Sequence, residues 1–171
     1  MRSTLFQRMD AMLRRLTPFA LAVLTVILNV IPVRIPGLPE VAPVLPIMAI
    51  YHWTIYRPQL LPVYAVFALG VLQDALVGLP MGVSVLVFLM VHIMVLSQQV
   101  FFTGKSFAIH WLGFALVAAG TQLMFWVVMS LYYTSLIGVW PMVFQYLLTV
   151  GFFPLVAWLL LRWQRSVLAM V

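Results

Sequence analysis

Long apolar runs, separated by short polar or turn segments, dominate the pattern of this 171-residue chain. A membrane-spanning helix needs about 20 mainly apolar residues, and the runs predict six such spans. Stretches such as VSVLVFLMVHIMVL lack the alternation of apolar and polar residues that a transmembrane β-barrel requires, so helices are expected. The whole chain, 1–171, is predicted to form a single compact all-α membrane bundle. The predicted spans are residues 16–33, 41–56, 60–77, 83–102, 107–133 and 140–161.

The N-terminal residues 1–15 are basic and precede the first span. Apolar residues recur at helical spacing through this segment, which predicts a short interfacial helix that leads into the span. A retained span is favoured over a signal peptide, because the apolar run exceeds the roughly 7–15 residues of a signal peptide and no A-x-A cleavage site follows it.

Prolines crowd the segment IPVRIPGLPEVAPVLP, where they occupy positions 32, 36, 39, 43 and 46. A proline inside a helix costs about 3 kcal/mol, so this segment is predicted to be an extended connection. The second span is then short or broken and begins near Pro43 or Pro46. Non-helical backbone at membrane depth must be covered by protein or by water.

Two aromatic residues, Trp53 and Tyr56, close the second span just before Arg57 and Pro58. Tryptophan and tyrosine concentrate at membrane interfaces, so the pair is interpreted as an interfacial aromatic belt. An aromatic box for a substrate is the alternative interpretation and the rarer arrangement.

Composition narrows the class of protein. Hydrophobic residues make up 65% of the chain and charged residues only 7%, whereas soluble domains carry about 25% charged residues. An integral membrane protein is therefore indicated. The absence of cysteine excludes disulfides and thiolate metal sites. The net charge of +6 comes from dispersed basic residues without an aromatic-interleaved basic patch, so no nucleic-acid partner is expected.

The distribution of basic residues predicts the orientation of the chain. With a cytoplasmic N-terminus, the six spans place every basic residue except Arg34 on the cytoplasmic side. This bias follows the positive-inside rule, so both termini are predicted to be cytoplasmic. Each basic side chain near an anionic leaflet contributes about 1 kcal/mol, which makes membrane lipids expected partners. The cytoplasmic set is Arg2, Arg8, Arg14, Arg15, Arg57, Lys105, Arg162 and Arg165.

One of the three acidic residues, Asp74, lies inside the stretch GVLQDALVGLPMG. A carboxylate at mid-membrane costs roughly 2.5–3.5 kcal/mol unless it is paired or hydrated. Gly70, Asp74 and Gly78 recur every four residues and so share one helix face, where small residues let a neighbouring helix come close.

The residues after this face predict how Asp74 is stabilised. Gly78, Pro80 and Gly82 are typical turn residues, and Val83 opens the fourth span. The free backbone N–H groups at a helix start are natural partners for a carboxylate. Asp74 is therefore interpreted as a structural tie between the third and fourth spans, in preference to a proton relay, a cation site or a partner contact.

His92, Gln122 and Gln145 are further polar candidates inside the predicted spans. His92 is interpreted as a neutral, hydrogen-bonded packing residue; the alternative is a pair with Asp74 through helix tilt or an intervening water. Gln122 and Gln145 are expected to form interhelical hydrogen bonds.

The sequence contains none of the common catalytic or nucleotide-binding motifs. It contains no H-E-x-x-H, no G-x-S-x-G and no P-loop, and its three acidic residues, Asp10, Glu40 and Asp74, fall in separate segments. An enzyme, a metal site or a bound cofactor is therefore not expected.

The stretch GVLQDALVGLPMG resembles the G-L-x-x-D-x-x-x-G-x-P-x-G signature of the MreD family of bacterial rod shape-determining membrane proteins. IYHWTIYRPQLLP is similar to that family's Y-W-x-x-x-R-P-x-x-x-P, and the two motifs occur in the expected order. The chain departs from the pattern at Gln73, at Met81, and at His52, which is inserted between the tyrosine and the tryptophan.

The resemblance implies a six-helix subunit of the bacterial inner membrane. It implies a non-enzymatic scaffold of cell-wall elongation that partners MreC and, through it, the MreB filament, RodA and a penicillin-binding transpeptidase.

The alternative function is a small-molecule binding subunit of a membrane transporter. The MreD family is distantly similar to the vitamin-binding subunits of energy-coupling-factor transporters, which would imply an outward cavity. A ligand site needs convergent polar groups, and the outer half is expected to offer mainly Asn29, Asp74 and Ser84, a small set for that purpose.

Overall fold

Six α-helices make up most of the described structure. The computed structural model describes residues 3–31, 41–102, 104–135 and 138–168, with backbone alone for 3–15, 102 and 165–168. The predicted all-α class is confirmed for these residues. The helices are α1 Ser3–Val30, α2 Leu45–Tyr56, α3 Val63–Val77, α4 Val83–Phe102, α5 Phe107–Tyr132 and α6 Val139–Leu168, with a 3-10 helix at Pro58–Leu60.

Three helices among the described residues are long and apolar enough to cross a membrane. These segments are Val83–Phe101, Phe107–Tyr132 and Val139–Gln164. Two shorter apolar helical segments, Leu16–Val30 and Val63–Val77, accompany them. The fourth predicted span has the observed bounds, whereas α6 runs past residue 161 to Leu168.

The N-terminal segment and the first apolar run form one continuous helix. The helix α1 runs without interruption for 28 residues, from Ser3 to Val30, with Pro18 inside it. A single proline removes one backbone donor and leaves the other helical hydrogen bonds in place, so it bends or weakens a helix without always ending it. The helix stops close to Pro32, because the residue before a proline disfavours helical geometry. The connection that carries Arg34, Pro36, Pro39 and Glu40 lies outside the described residues.

The second helix, α2, is short, as predicted, and it occupies the centre of the bundle. Its 12 residues span about 18 Å, well below the roughly 30 Å of a hydrocarbon core. All residues from Pro46 to Ile55 are buried, and α2 packs against α1, α4, α5 and α6. A helix that is apolar on every side needs such an enclosed position.

This central position overturns the aromatic-belt interpretation at Trp53. Its side chain is 0% exposed and belongs to the core, whereas Tyr56 at the end of α2 is 38% exposed. An enclosed helix does not bring its side chains to the membrane interface, so a belt residue and a core residue look alike in the sequence.

The helices pack in an up-and-down order that gives the bundle two ends. The most extensive packing joins α3 to α4, and α1 also packs against α2 and α3. The Asp74 end is defined by the turn between α3 and α4 and by the start of α6. The Lys105 end is defined by the turn between α4 and α5 and by the end of α2.

A proline inside α6 shows how the bundle satisfies backbone groups. Pro154 lacks an N–H, so the carbonyl of Val150 loses its helical partner. The indole Nε1 of Trp111 on α5 donates to that carbonyl at 3.0 Å. A freed carbonyl in hydrocarbon needs such a neighbour, so Trp111 compensates for the proline.

Candidate functional site

The carboxylate of Asp74 is fully buried and bonded to the start of α4. Its Oδ2 accepts from the backbone N–H of Gly82 at 2.7 Å, and its Oδ1 accepts from that of Ser84 at 2.9 Å. Gly82 lies just before α4 and Ser84 lies in its first turn, where N–H groups lack helical partners. The hydrogen bonds expected from the sequence are thus present. Whether this motif also contacts a partner protein stays a prediction.

Gly70 places the backbones of α3 and α4 in direct contact. A Cβ atom added at Gly70 would lie 2.5 Å from the Cα of Val85, a separation that real atoms do not tolerate. The predicted close approach of the helices is therefore present at this glycine. One turn further along α3 lies Asp74, so close packing and the carboxylate tie act on the same pair of helices.

The other glycines of the motif serve the turn. Gly78 has φ +75° and ends α3, and Gly82 has φ +105° just before α4. These positive φ values favour glycine because it has no Cβ. The expectation that Gly78 joins Gly70 in a close-packing face is wrong, since a Cβ at Gly78 would meet nothing within 4 Å. The helix ends before reaching it, so helical periodicity no longer applies. Pro80 lies within the turn, where its carbonyl accepts from Val83 at 3.3 Å.

The non-helical residues 41–44 before α2 are held by side chains from α1 and α6. Asn29 Nδ2 donates to the carbonyl of Pro43 at 2.7 Å, and Gln145 Nε2 donates to that of Ala42 at 3.1 Å. The N–H of Val44 donates to Thr149 Oγ1 at 3.1 Å. Protein groups therefore cover this non-helical backbone, as the sequence predicts.

Carboxamides link the helices around this segment. Gln73 Nε2 donates to Asn29 Oδ1 at 2.9 Å, which joins α3 to α1. Gln122 Nε2 donates to Gln145 Oε1 at 3.0 Å, which joins α5 to α6. The expected interhelical hydrogen bonds of Gln122 and Gln145 are confirmed.

A cavity of about 250 Å³ lies among these carboxamides at the Asp74 end. All six helices except α2 contribute polar or aromatic side chains to its wall, and α2 contributes Ile47. Its polar lining residues are Asn29, Gln73, Ser84, Thr121, Gln122 and Gln145. The sequence prediction included Asn29 and Ser84 but missed Gln73 and Thr121. Asp74 uses both carboxylate oxygens in the turn and is not part of the lining.

His92 lies away from Asp74 and bonds to the central helix. Its Nδ1 is 2.9 Å from Thr54 Oγ1, and both side chains are buried. The packing interpretation of His92 is therefore supported, and the suggested pair with Asp74 is not formed. Which of the two atoms donates depends on the tautomer of the ring.

The Lys105 end contains the main aromatic cluster. The rings of Phe114 and Phe153 stack at 4.0 Å, and Tyr51 meets both edge to face at 5.2 and 5.6 Å. The Tyr51 hydroxyl donates to the carbonyl of His110 at 2.9 Å. Sequence reasoning did not find this cluster, because nothing in a uniformly apolar stretch shows which rings face one another.

No group of three or more His, Cys, Asp or Glu side chains comes together within the part of the chain that the structure describes. The buried polar groups of the Asp74 end are instead arranged as hydrogen-bonded links between helices.

Comparison with known proteins gives one match that covers nearly the whole chain. The family described as "rod shape-determining protein MreD" matches residues 9–163. No curated protein and no solved structure matches the chain. The matched region contains the Asp74 turn, the carboxamide links and all the cavity-lining residues. The chain thus belongs to the MreD family of rod shape-determining membrane proteins.

Proposed function

We propose that the protein is a non-enzymatic scaffold of the bacterial cell-wall elongation machinery. The observation that carries this proposal is the family match over residues 9–163. The structure agrees with a scaffold in one respect: the buried carboxylate of Asp74 bonds two backbone N–H groups of a turn. A carboxylate held in this way stabilises a junction between helices and is poorly placed to carry protons.

The proposed location is the bacterial inner membrane, with six spans and both termini in the cytoplasm. Support comes from the basic residues, because Arg57, Lys105 and Arg162 all lie toward the Lys105 end. The N-terminal part of α1 and the C-terminal part of α6 also reach this end. The positive-inside rule then assigns the Lys105 end to the cytoplasm.

Two of the proposed spans need an explanation, because α2 and α3 are shorter than a bilayer. The non-helical residues 41–44 lengthen the path of α2, so residues 41–56 cover more of the membrane than the helix alone. The hydrogen bonds with Asn29, Gln145 and Thr149 allow this non-helical backbone to lie at membrane depth.

The proposed direct partner is MreC, with MreB, RodA and a penicillin-binding transpeptidase linked through it. Helix α6 offers surface for a partner helix. Only 22% of its apolar membrane-spanning segment is buried, against 44% for that of α4. Leu155 and Leu159 are exposed on α6, whereas Ala157 between them is buried.

Photo-crosslinking in native membranes tests the partner. A photoreactive residue at position 155 or 159 is expected to crosslink to MreC, and the same residue at position 157 is the matched control, since it faces the core. Purification without crosslinking from mild detergent should also recover MreC with the wild-type chain. Recovery of an abundant, folded chain free of MreC, with no crosslink from either exposed position, would contradict the scaffold proposal.

Cysteine accessibility tests the membrane placement separately. The natural chain has no cysteine, so single cysteines can be introduced without background. A cysteine at position 105 should be protected from an impermeant reagent added to the outside, and a cysteine at 138 should react. The reverse pattern would refute the proposed orientation.

The second candidate function is a binding subunit of a transporter, which the cavity at the Asp74 end favours. Such a subunit would copurify with a small molecule or with transporter ATPases. Mass spectrometry of the purified chain distinguishes the two functions, because the scaffold is expected to bring MreC.

A further inference from the structure

The cavity at the Asp74 end is large enough for more than trapped water. Its volume of about 250 Å³ far exceeds the roughly 10–15 Å³ of probe-occupied space that one water needs. It falls just short of the roughly 300–1,000 Å³ of pockets for drug-sized ligands. A molecule or chemical group of about the size of one sugar ring therefore matches it better than a vitamin does.

One atom beside the cavity has an unmet hydrogen bond. Gln73 lines the cavity and is only 6% exposed, and its Oε1 is a buried acceptor with no partner among the described residues. An unsatisfied buried polar group costs about 1–3 kcal/mol. The Nε2 of the same amide already donates to Asn29 Oδ1 at 2.9 Å, so Oε1 is the atom left to accept from a ligand. Gln73 therefore favours a ligand that donates a hydrogen bond.

The lining also indicates the charge of that ligand. None of the described residues in the wall is charged, so an anionic phosphate or carboxylate would find no guanidinium or ammonium partner. The buried carboxylate of Asp74, next to Gln73 in the chain, further disfavours an anion. Carboxamides and hydroxyls both donate and accept, which matches the hydroxyl groups of neutral molecules.

The wall combines this polar set with apolar surface. Phe88 and Phe125 line the cavity together with Val44, Ile47 and Val87. Ligand sites generally have such a mainly apolar wall with a few placed polar groups. A ring or short chain that carries hydroxyls has carbon atoms for the apolar wall and oxygen atoms for the amides.

We propose that this cavity binds a small neutral group with several hydroxyls, the size of one sugar ring, and that Gln73 Oε1 accepts a hydrogen bond from it. The group can come from a free sugar or from the neutral headgroup of a glycolipid. This site is independent of the scaffold proposal, because it requires neither MreC nor transport.

Saturation-transfer NMR on the full chain in phosphatidylcholine nanodiscs tests whether the cavity binds a free sugar. The probe is methyl α-D-glucoside at about 10 mM, a concentration that detects millimolar affinity, and succinate is the anionic comparison. The glucoside is expected to receive saturation from the protein and succinate is not. Equal signals from both probes would overturn the proposed chemistry.

Native mass spectrometry tests whether the cavity binds the headgroup of a glycolipid. Nanodiscs that contain equal amounts of glucosyl-diacylglycerol and phosphatidylglycerol should leave the glucolipid on the chain in preference to the anionic lipid. If the headgroup occupies the cavity, this glucolipid should also abolish the signal of the free glucoside. Failure of both the free probe and the glucolipid to bind would refute the site.

Two variants test whether the glucoside binds in this cavity. Gln73→Leu is expected to weaken binding at least about fivefold, which corresponds to about 1 kcal/mol for one hydrogen bond. The matched control is Gln99→Leu, because Gln99 is also a carboxamide, donates to the carbonyl of Ile55, and lies outside the cavity wall. Gln99→Leu should bind as the wild type does.

A second variant, Val77→Phe, tests the same site in case Gln73→Leu does not fold. Val77 lines the cavity but is 45% exposed at the end of α3, so Val77→Phe should fold while narrowing the space. Its binding is also expected to fall at least about fivefold. Wild-type binding by folded Val77→Phe, or equal binding by Gln73→Leu and Gln99→Leu, would contradict the assignment.

Discussion

The two ends of the bundle are built in opposite ways. At the Lys105 end, the rings of Tyr51, Phe114 and Phe153 fill the interior, and the space beside them is about 10 Å³. At the Asp74 end, carboxamides and a carboxylate link the helices around a cavity of about 250 Å³. A second cavity at the Lys105 end, of about 440 Å³, is lined by residues outside this cluster, among them Leu16, Leu60 and Tyr64. The aromatic cluster is held by shape, whereas the Asp74 end is held by hydrogen bonds.

The difference shows what each kind of contact requires. Apolar rings are stabilised by close packing alone and need no particular partner atom. Polar side chains need a partner for each donor and acceptor, and the carboxamides of the Asp74 end meet this need by bonding one another across helices. The space at the Asp74 end is therefore the one around which carboxamides from several helices converge. The buried, unpartnered Oε1 of Gln73 marks the same place.

The largest effect is expected from removing an aromatic ring at the Lys105 end. Phe114 is 0% exposed and stacks on Phe153, so Phe114→Ala should lower the free energy of unfolding by about 3–5 kcal/mol. The matched control is Phe125→Ala, where the ring is only partly buried and already borders a cavity. Thermal unfolding of purified protein measures both. Equal losses would show that the two ends are packed alike.

The contact at Gly70 gives the next largest effect. Gly70→Leu forces α3 away from Val85, and overpacking of this kind costs about 1–3 kcal/mol or more. Gly120→Leu is the control, because a Cβ at Gly120 meets nothing within 4 Å. Membrane abundance should fall for the first variant and stay near the wild-type level for the second. Similar abundance of the two variants would refute the close approach of α3 and α4.

A smaller effect is expected from the donor that compensates for Pro154. Trp111→Phe removes the Nε1 that bonds the Val150 carbonyl and should destabilise the protein by about 1–3 kcal/mol. In Trp111→Phe combined with Pro154→Ala, the restored N–H should recover most of that loss. A double-mutant cycle of thermal unfolding measures this coupling, and additive losses would disprove it.

His92→Gln should have a minor effect. A glutamine oxygen or nitrogen can still bond the Thr54 hydroxyl, so the change in stability should stay near the roughly 0.6 kcal/mol average of interhelical hydrogen bonds in membranes. Cell shape in a complementation assay should also be retained. Loss of rod shape at normal abundance would show that His92 has a chemical role beyond packing.

Sequence reasoning predicted the Asp74 end better than the Lys105 end. Polar residues are rare in this chain, so each one inside an apolar run signals a hydrogen-bonded position, as Asp74, Gln122 and Gln145 show. The bounds of α4 were also predictable, because a glycine and proline turn precedes it. Gln73 was missed as a lining residue because it was noted only as a departure from a family motif.

The burial of Trp53 and the aromatic cluster could not be predicted, because both depend on which helix faces pack against each other. Trp53 looked like an interfacial residue, yet α2 is enclosed by its neighbours and buries it completely. The aromatic cluster around Phe114 has no periodic signal in a segment where nearly every residue is apolar. Hydrophobic patterns distinguish core from surface only when the surroundings are water, and lipid removes that contrast.

Replacement of Asp74 by asparagine tests whether its carboxylate ties α3 to α4 by accepting from Gly82 and Ser84. The amide oxygen can keep one of these bonds, so Asp74→Asn should be tolerated. Asp74→Leu removes both bonds and leaves the buried N–H of Ser84 unpaired, at about 1–3 kcal/mol.

The measurement is membrane abundance and cell shape for both variants in cells that lack the native gene. The account predicts near-normal abundance and rod shape with Asp74→Asn, and low abundance with loss of shape for Asp74→Leu. An abundant Asp74→Asn protein that fails to support rod shape would contradict the account, because the charge itself would then carry the function.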